Sequence, residues 1–328
     1  MRGSWFSKIA ALAFIAVPAW TDEPTASVDS SPRDEPAMEV IVVTGEQTGP
    51  GLWKVTSGGH VMWILGEISP YPRSVKWKSK EFDVLLRNSQ ELIIDFSGYW
   101  KMDLADNLAY ARASKLPQGT TLKDVISPDL LARVEATATI YGASDLDGLY
   151  PFSVTNRLVS SAMEKLDMVG FSARFSADEL GRRRHVVVTH FAAPEPPFAI
   201  RLNNWQHASN ATCLQRLVEA IEDGGRGVRR LANAWSVGDI EALRRLVPAY
   251  SFSRDGFRTE ECAAAMRGGE QQLREYNQRR TQAWLDRAER ALRRNRSTIA
   301  VVLMSEIFAA DGYLARLRDR GYEIAEPE

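Results

Sequence analysis

The sequence predicts an α/β protein with a central mixed β-sheet that begins with a hairpin and is covered by helices. Three largely apolar runs, each read as a buried strand, support this prediction: VMWIL at 61–65, ELIIDF at 91–96 and IAVVLM at 299–304. A strand that is covered on both faces loses the alternation of a surface strand and reads in this way. Amphipathic helical patterns separate the runs, which is the order typical of parallel strands joined by helices.

The first strand pair is a predicted hairpin that ends beside polar residues. Trp53 and Val55 alternate with polar neighbours, which is the period-two pattern of a half-buried strand. A Ser-Gly-Gly turn at 57–59 accepts positive φ. The second strand ends in glycine, and Glu67 and Ser69 follow. Polar side chains just beyond a buried strand are a common location for a functional site. The alternative is an ordinary turn with a solvated Glu67.

Helical patterns occupy most of the remaining chain and predict a large helical insertion that covers one face of the sheet. A strand at 185–190 contains His185 and His190, whose side chains face opposite ways on a strand, so we do not expect a joint metal site there. The other predicted elements are an initial strand at 38–45, the insertion at 100–175, helices within 213–246, a long arginine-rich helix at 260–295, a helix at 311–320 and an edge strand at 322–325.

Composition is that of an ordinary globular protein. The chain has 328 residues and a formal net charge of −1, with 45% hydrophobic and 25% charged residues. This length is enough for one large domain or two small ones. The balanced charge gives no overall attraction to nucleic acid, and the sequence has neither a glycine-rich phosphate loop nor a dinucleotide fingerprint. We therefore expect no nucleic-acid partner.

The first residues have the pattern of a signal peptide. Arg2 and Lys8 accompany an apolar stretch at 9–17 that is too short to span a bilayer, and a cleavage after Ala19 would follow small residues. An uncleaved membrane anchor is the alternative. A periplasmic or secreted location follows from this pattern. We assign 1–20 to a signal peptide, 21–37 to a disordered linker rich in Ser, Pro and acidic residues, and 38–328 to the folded domain.

Two cysteines, Cys213 and Cys262, lie 49 residues apart. In an oxidising compartment such a pair most simply forms one disulfide, and closing a loop of that size stabilises a fold by roughly 3–4 kcal/mol. The alternative is two buried free thiols. A zinc site is not expected, because no histidine cluster accompanies the cysteines.

The order of several short motifs resembles the TraB/GumN (Tiki-like) family. A hairpin that begins with GLWKV leads into LGEISPYP at 65–72, and the ELIID strand follows. AWSVGD at 234–239 resembles the Ala-Trp-x-x-Gly-Asp stretch of many bacterial members. ADGYL at 310–314 and RGY at 320–322 resemble the family's Asp-Gly-Leu and Arg-Gly-Tyr tail. The resemblance covers residues 51–326 and implies the family's α/β fold.

The resemblance implies a metal site, but this sequence departs from the family at the decisive positions. Some family members are metal-dependent proteases, with the histidines of two Gly-x-x-His motifs near the metal. Here Ser69 replaces the first histidine, Glu306 replaces the second, and Asp95 replaces a family glutamate. Arg280, four residues before Trp284, resembles an arginine of the family's long helix. A hydroxyl is a poor ligand for Zn²⁺ or Mn²⁺ and cannot act as a base near neutral pH, so losing both imidazoles changes the chemistry.

Three hypotheses follow. The first is an exported, catalytically impaired family member that acts as a binding or scaffold module for a peptide or protein ligand that the sequence does not identify. The second is an active metal-dependent hydrolase in which Glu67, Asp95 and Glu306 bind a hard divalent ion. Arg280 and Ser69 complete the candidate catalytic set. The third is that the carboxylates pair with Arg280 and fasten the sheet to the long helix.

The sequence leaves the cofactor and the activity open. A site of carboxylates suits Mn²⁺, Co²⁺, Mg²⁺ or Ca²⁺, and a site that has lost its imidazoles is also compatible with no metal. Membrane association is expected only through an uncleaved N-terminal segment.

Overall fold

The computed structural model describes residues 45–47, 49–73, 75–77, 79–95, 103–169, 186–191, 211–222, 225–250, 264 and 268–327. All of them belong to the unit Val40–Glu328. The predicted signal peptide and linker lie outside these residues and stay predictions.

The described part of the chain begins with five strands and continues with helices and strands in mixed order. The strands are β1 (Gly45–Gln47), β2 (Trp53–Ser57), β3 (His60–Glu67), β4 (Tyr71–Pro72), β5 (Val75–Trp77), β6 (Glu91–Asp95), β7 (Met168–Val169), β8 (Val187–Phe191), β9 (Ser297–Leu303) and β10 (Glu323–Ala325). The helices are α1 (Lys80–Arg87), α2 (Leu104–Ala113), a 3-10 turn (Leu122–Asp124), α3 (Pro128–Tyr141), α4 (Pro151–Lys165), α5 (Ala211–Ile221), α6 (Arg226–Val237), α7 (Ile240–Tyr250), α8 (Glu270–Arg294), α9 (Met304–Phe308) and α10 (Tyr313–Asp319).

A six-stranded mixed sheet lies at the centre, with the strand order β10-β2-β3-β9-β6-β8. β10, β2 and β3 pair antiparallel, whereas β3, β9, β6 and β8 run parallel. This arrangement confirms the predicted α/β fold class with a mixed sheet. β1 pairs with β5, and β4 with β7, in two separate two-stranded sheets.

The predicted hairpin is present as β2 and β3. The turn between them places Gly58 and Gly59 at φ +54° and +84°, a region that glycine enters without steric cost. β10 pairs with β2 at the edge of the sheet, which confirms the predicted final edge strand.

Each face of the sheet is covered by its own group of helices. Met62 and Ile64 of β3 pack into the larger core with Trp235 of α6 and Trp284 of α8. Leu65, which points the other way, packs into a smaller core that includes residues of α1. Strand alternation therefore separates an α8 face from an α1 face.

The predicted insertion at 100–175 supplies α3 and α4 to a separate hydrophobic core, which α5 completes from outside that range. This core contains no described residue of the central sheet, so these helices do not cover a face of the sheet as expected. Ser127 caps α3 by accepting a hydrogen bond from the Leu130 N–H, and proline occupies the first helical position, as the sequence predicts. The hydroxyl of Tyr141 donates to the Ile221 carbonyl at 2.7 Å and joins α3 to α5.

Within the described ranges, none of the helices combines the length and apolar content that a membrane crossing requires.

Several predicted boundaries are wrong. The run expected to be strand through Met304 ends at Leu303, because α9 begins at once and turns the chain across the strand end. The helix expected to reach Met168 stops at Lys165, and Met168 instead pairs with β4. The expected strand at 38–45 is described only from Gly45, where it pairs with β5 and not with the central sheet.

Candidate functional site

The carboxyl ends of three parallel strands meet at one edge of the sheet. Glu67, the last residue of β3, is paired with Leu303, the last residue of β9. β6 lies on the other side of β9 and ends at Asp95. The helix α9, which carries Glu306, follows β9 without a loop. The two strands that lead into the motif positions are therefore neighbours in the sheet.

Arg280 connects two of the predicted site carboxylates. Its Nη2 donates to Asp95 Oδ2 at 3.0 Å, and its Nη1 donates to Glu306 Oε1. The side chains of Arg280 and Asp95 are 7% and 0% exposed, whereas that of Glu306 is 19% exposed. One guanidinium thus lies between a fully buried carboxylate and a partly open one.

Tyr313 completes this cluster. Its hydroxyl donates to Asp95 Oδ2 at 2.8 Å, and its ring stacks on Trp284 with centroids 4.0 Å apart and planes 4° apart. The Arg280 guanidinium lies 5.4 Å from the centre of the Tyr313 ring. Arg280 and Trp284 share a face of α8 because four residues separate them.

Burial and charge set the protonation of the cluster. Burial alone lowers the pKa of Arg280, but Tyr313, Glu306 and Asp95 together raise that pKa well above its usual value. Burial raises the pKa of the Tyr313 phenol well above 10.0; Arg280 opposes this shift, and Asp95 and Glu306 add to it. Arg280 is therefore a permanent cation, and Tyr313 stays protonated as a hydrogen-bond donor.

Glu67 is buried on the opposite face of the sheet. A Cβ added at Gly66 would contact Met304 Sδ at 2.5 Å and Ile307 Cδ1 at 2.8 Å, so Gly66 faces the larger core. Glu67, one residue later, points with Leu65 toward the α1 face, and it is 0% exposed. Asp95 follows Ile93 by two residues and so points to the α8 face.

Ser69 lies two residues beyond β3, before a cis bond to Pro70, and is half-buried. Within the described part of the chain, no hydrogen bond connects its hydroxyl to Asp95, Arg280 or Glu306. The structure therefore brings together Asp95, Arg280 and Glu306 and leaves Glu67 and Ser69 outside that group.

Trp235 of the AWSVGD motif holds the end of β3. Its indole Nε1 donates to the Gly66 carbonyl at 2.8 Å, and its ring meets Tyr71 edge-on, with centroids 5.2 Å apart. Gly238 ends α6 in the left-handed region, and its N–H bonds the Trp235 carbonyl. The motif therefore fixes the segment that carries Glu67 and Ser69.

A second ionic cluster lies at the amino-terminal ends of the parallel strands, opposite the Arg280 cluster. Arg287, seven residues after Arg280 on α8, pairs with Glu91 at the start of β6 and donates to the Thr189 hydroxyl at 2.9 Å. Asn295 donates to the second carboxylate oxygen of Glu91 at 3.0 Å. This network attaches the C-terminal third of α8 to β6 and β8.

The carboxylates of the Arg280 cluster are poorly arranged as ligands for a divalent metal ion. Asp95 and Glu306 each bond the same guanidinium, which would repel a cation between them. Nowhere in the described ranges do three or more His, Cys, Asp or Glu side chains form a group that could hold a metal ion. The arrangement instead contains the pairing with Arg280 that the third hypothesis requires.

Sequence reasoning missed Tyr313 and Arg287 as members of these clusters. A signal existed for both. A tyrosine in a buried helical stripe needs a partner for its hydroxyl, and Arg287 repeats the Arg280 position two helical turns later.

The predicted cysteine pair and the predicted histidine pair each have one member among the described residues. Cys213 is buried in α5, but Cys262 lies outside the described residues, so the disulfide stays a prediction. His190 is exposed in β8, and His185 also lies outside the described residues.

Comparison with known proteins gives one match. Residues 51–326 match the TraB/PrgY/gumN family. No curated protein and no solved structure matches the chain. The matched range contains the whole central sheet and both strand ends that lead into the predicted motifs. The chain therefore belongs to the TraB/PrgY/gumN family.

Proposed function

We propose that this chain is a catalytically impaired TraB/PrgY/gumN-family protein that is exported and acts as a binding or scaffold module for a peptide or protein ligand. The observation that supports the proposal is the position of Arg280, whose guanidinium bonds both Asp95 and Glu306. A metal-activated water needs a cation with an open coordination position. Here the cation between the carboxylates is a side chain, which has no such position.

The two replaced histidines support the same conclusion. Ser69 supplies a hydroxyl and Glu306 supplies a carboxylate where the family places imidazoles. Glu306 is committed to Arg280, and Ser69 has no imidazole in the cluster to take its proton. The alternative function is an active metal-dependent hydrolase that uses Glu67, Asp95 and Glu306. It requires Glu67 to reach a cluster on the other face of the sheet.

Calorimetric titration of the purified protein with Mn²⁺ and Co²⁺ tests the loss of metal chemistry. We expect no tight binding by the wild type and no difference in Glu306→Ala. Tight binding that is abolished by Glu306→Ala would contradict the proposal and favour the carboxylate-based hydrolase.

A peptide assay tests binding against turnover. In a quenched fluorescent peptide library, with and without Mn²⁺, we expect no cleavage, while fluorescence polarisation with the same peptides should detect binding by the folded protein. Cleavage that depends on Mn²⁺ and on Glu306 identifies an enzyme. If fluorescence polarisation detects no binding of any peptide, the peptide-binding part of the proposal is wrong.

Export is tested separately. The predicted signal peptide leads us to expect a mature N-terminus after Ala19 in a periplasmic or culture fraction, read by N-terminal sequencing. A full-length chain that stays with the membrane fraction would identify the uncleaved anchor.

A further inference from the structure

Four exposed arginines lie at the amino-terminal edge of the parallel strands, opposite the Arg280 cluster. Helices α1 and α8 cover different faces of the sheet, and each ends just before a strand of the central pair β6 and β9. Arg87 is the last residue of α1 and Arg294 the last of α8. Arg296 follows α8, and Arg290 lies about one turn before its end. We call these four residues the basic edge.

Hydrogen bonds hold the ends of the two helices together. The hydroxyls of Ser89 and Ser297 are 2.9 Å apart, the Gln90 N–H donates to the Ser297 carbonyl at 3.0 Å, and the Ser297 N–H donates to Gln90 Oε1 at 2.9 Å. Arg87 lies two residues before Ser89, and Arg296 directly precedes Ser297. The basic edge is therefore one continuous surface and not two distant ones.

In the described part of the chain, none of the four arginines of the basic edge forms an ion pair or a side-chain hydrogen bond. Nearby carboxylates are already engaged. Glu91 bonds Arg287 and Asn295, and Glu289 bonds Arg320 at 2.8 Å. Burial lowers the pKa of Arg287, and the nearby positive charges of Arg290 and Arg294 lower it further.

Helix dipoles explain only part of this concentration of arginine. The C-terminus of a helix carries about half a negative charge, so α1 and α8 together offer about one, against four guanidinium groups. The four guanidinium groups therefore exceed what the two helix ends alone can neutralise. Acidic residues elsewhere give the chain its net charge of −1, but at about 0.1 M salt charges more than roughly 10 Å away are largely screened.

Two exposed valines accompany the arginines. Val84 lies three residues before Arg87 on α1 and is 47% exposed, and Val187 begins β8 at the same edge and is 63% exposed. Exposed apolar side chains beside arginines suit the boundary between phosphate headgroups and acyl chains, whereas they add nothing to contacts with a nucleic-acid backbone.

We propose that the basic edge binds the phosphate headgroups of an anionic membrane surface, with Val84 and Val187 contacting the acyl boundary. This interaction is independent of the Arg280 cluster, which lies at the opposite edge of the sheet. It is also distinct from insertion of the apolar N-terminal segment, because it depends on charge.

Vesicle co-sedimentation of the full chain tests the proposal with two variants of equal charge. Each replaces four exposed arginines by glutamine, so each lowers the net charge by the same amount. The control arginines all form ion pairs away from the basic edge. The edge variant is Arg87→Gln, Arg290→Gln, Arg294→Gln and Arg296→Gln; the control variant is Arg216→Gln, Arg245→Gln, Arg274→Gln and Arg279→Gln.

With phosphatidylcholine vesicles that contain about 30% phosphatidylglycerol, we expect the edge variant to bind at least about tenfold more weakly than wild type. The control variant should stay within about threefold of wild type, and added salt should weaken wild-type binding. Circular dichroism checks that both variants are folded.

Three results would overturn the proposal. Equal losses in both variants would indicate a general charge effect. Equal binding of wild type to neutral and anionic vesicles, or no binding to either, would exclude headgroup recognition by the basic edge. Binding to duplex DNA in solution that needs the same arginines, without vesicle binding, would assign the surface to nucleic acid.

Discussion

Replacing Arg280 with methionine should destabilise the fold by about 3–5 kcal/mol, the usual cost of removing one partner from a buried ion pair. Methionine keeps much of the side-chain volume, so the lost interaction is mainly the charge. The structure predicts a value in this range because the Asp95 side chain is 0% exposed and would keep a buried negative charge after losing the guanidinium. Glu306, at 19% exposure, would turn to water at little cost.

The neighbouring residue supplies a matched control. Arg279 lies on the same helix but is 58% exposed, and its contact with Glu275 is 3.6 Å long. An exposed pair of this kind contributes little, so Arg279→Met should change stability by no more than about 0.5 kcal/mol. Urea unfolding followed by tryptophan fluorescence and far-ultraviolet circular dichroism measures both variants.

A double variant separates the ion pair from simple loss of packing. Arg280→Met combined with Asp95→Asn should cost at least about 1 kcal/mol less than the sum of the single changes, because neutral asparagine no longer needs the guanidinium. If Arg280→Met costs less than about 1 kcal/mol, or the two changes are additive, the ionic role of Arg280 is refuted.

Three further predictions concern the groups around the site. Burial raises the pKa of Tyr313 above its unfolded value of 10.0, so the folded state holds the phenol proton more tightly than the unfolded chain. The contribution of Tyr313 to stability is therefore fully present below about pH 10 and falls at higher pH. Tyr313→Phe should reduce that fall in unfolding measurements between about pH 8 and 11. Trp235→Phe leaves the buried Gly66 carbonyl without its indole donor and should cost about 1–3 kcal/mol in urea unfolding; an unchanged midpoint would mean that another donor replaces the indole. Gly312→Ala places a Cβ 2.2 Å from the Glu306 carbonyl oxygen and should cost about 1–3 kcal/mol by the same assay, while a neutral result would show that α9 moves freely.

Three parallel strands of the sheet could be predicted from the sequence because each falls on a largely apolar run. β3, β6 and β9 fall on the runs at 61–65, 91–96 and 299–304, and helix α3 begins at the predicted Ser127-Pro128 cap. The strand order could not be predicted, because β9 inserts between β3 and β6 from a distant part of the chain. Local patterns carry no information on such pairing.

The sequence predicted only part of the Arg280 cluster. The motif resemblance identified Asp95, Arg280 and Glu306, which the structure brings together. It also grouped Glu67 with them, although alternation along β3 turns Glu67 toward α1. The direction of the Glu67 side chain depends on whether β3 continues to residue 67. The apolar run from 61 to 65 does not reveal where this strand ends.

Two ion-paired arginines of α8, the buried Arg280 and the partly exposed Arg287, restrict how this helix can move along the sheet. Arg280 binds at one margin of the strands and Arg287 at the other, seven residues apart. A slide of one helical turn, about 5.4 Å, would break both attachments at once and leave the buried charge of Arg280 unmatched. The apolar contacts of Trp284 alone would tolerate several positions of α8 along the strands. The ion pairs of Arg280 and Arg287 together select one of these positions.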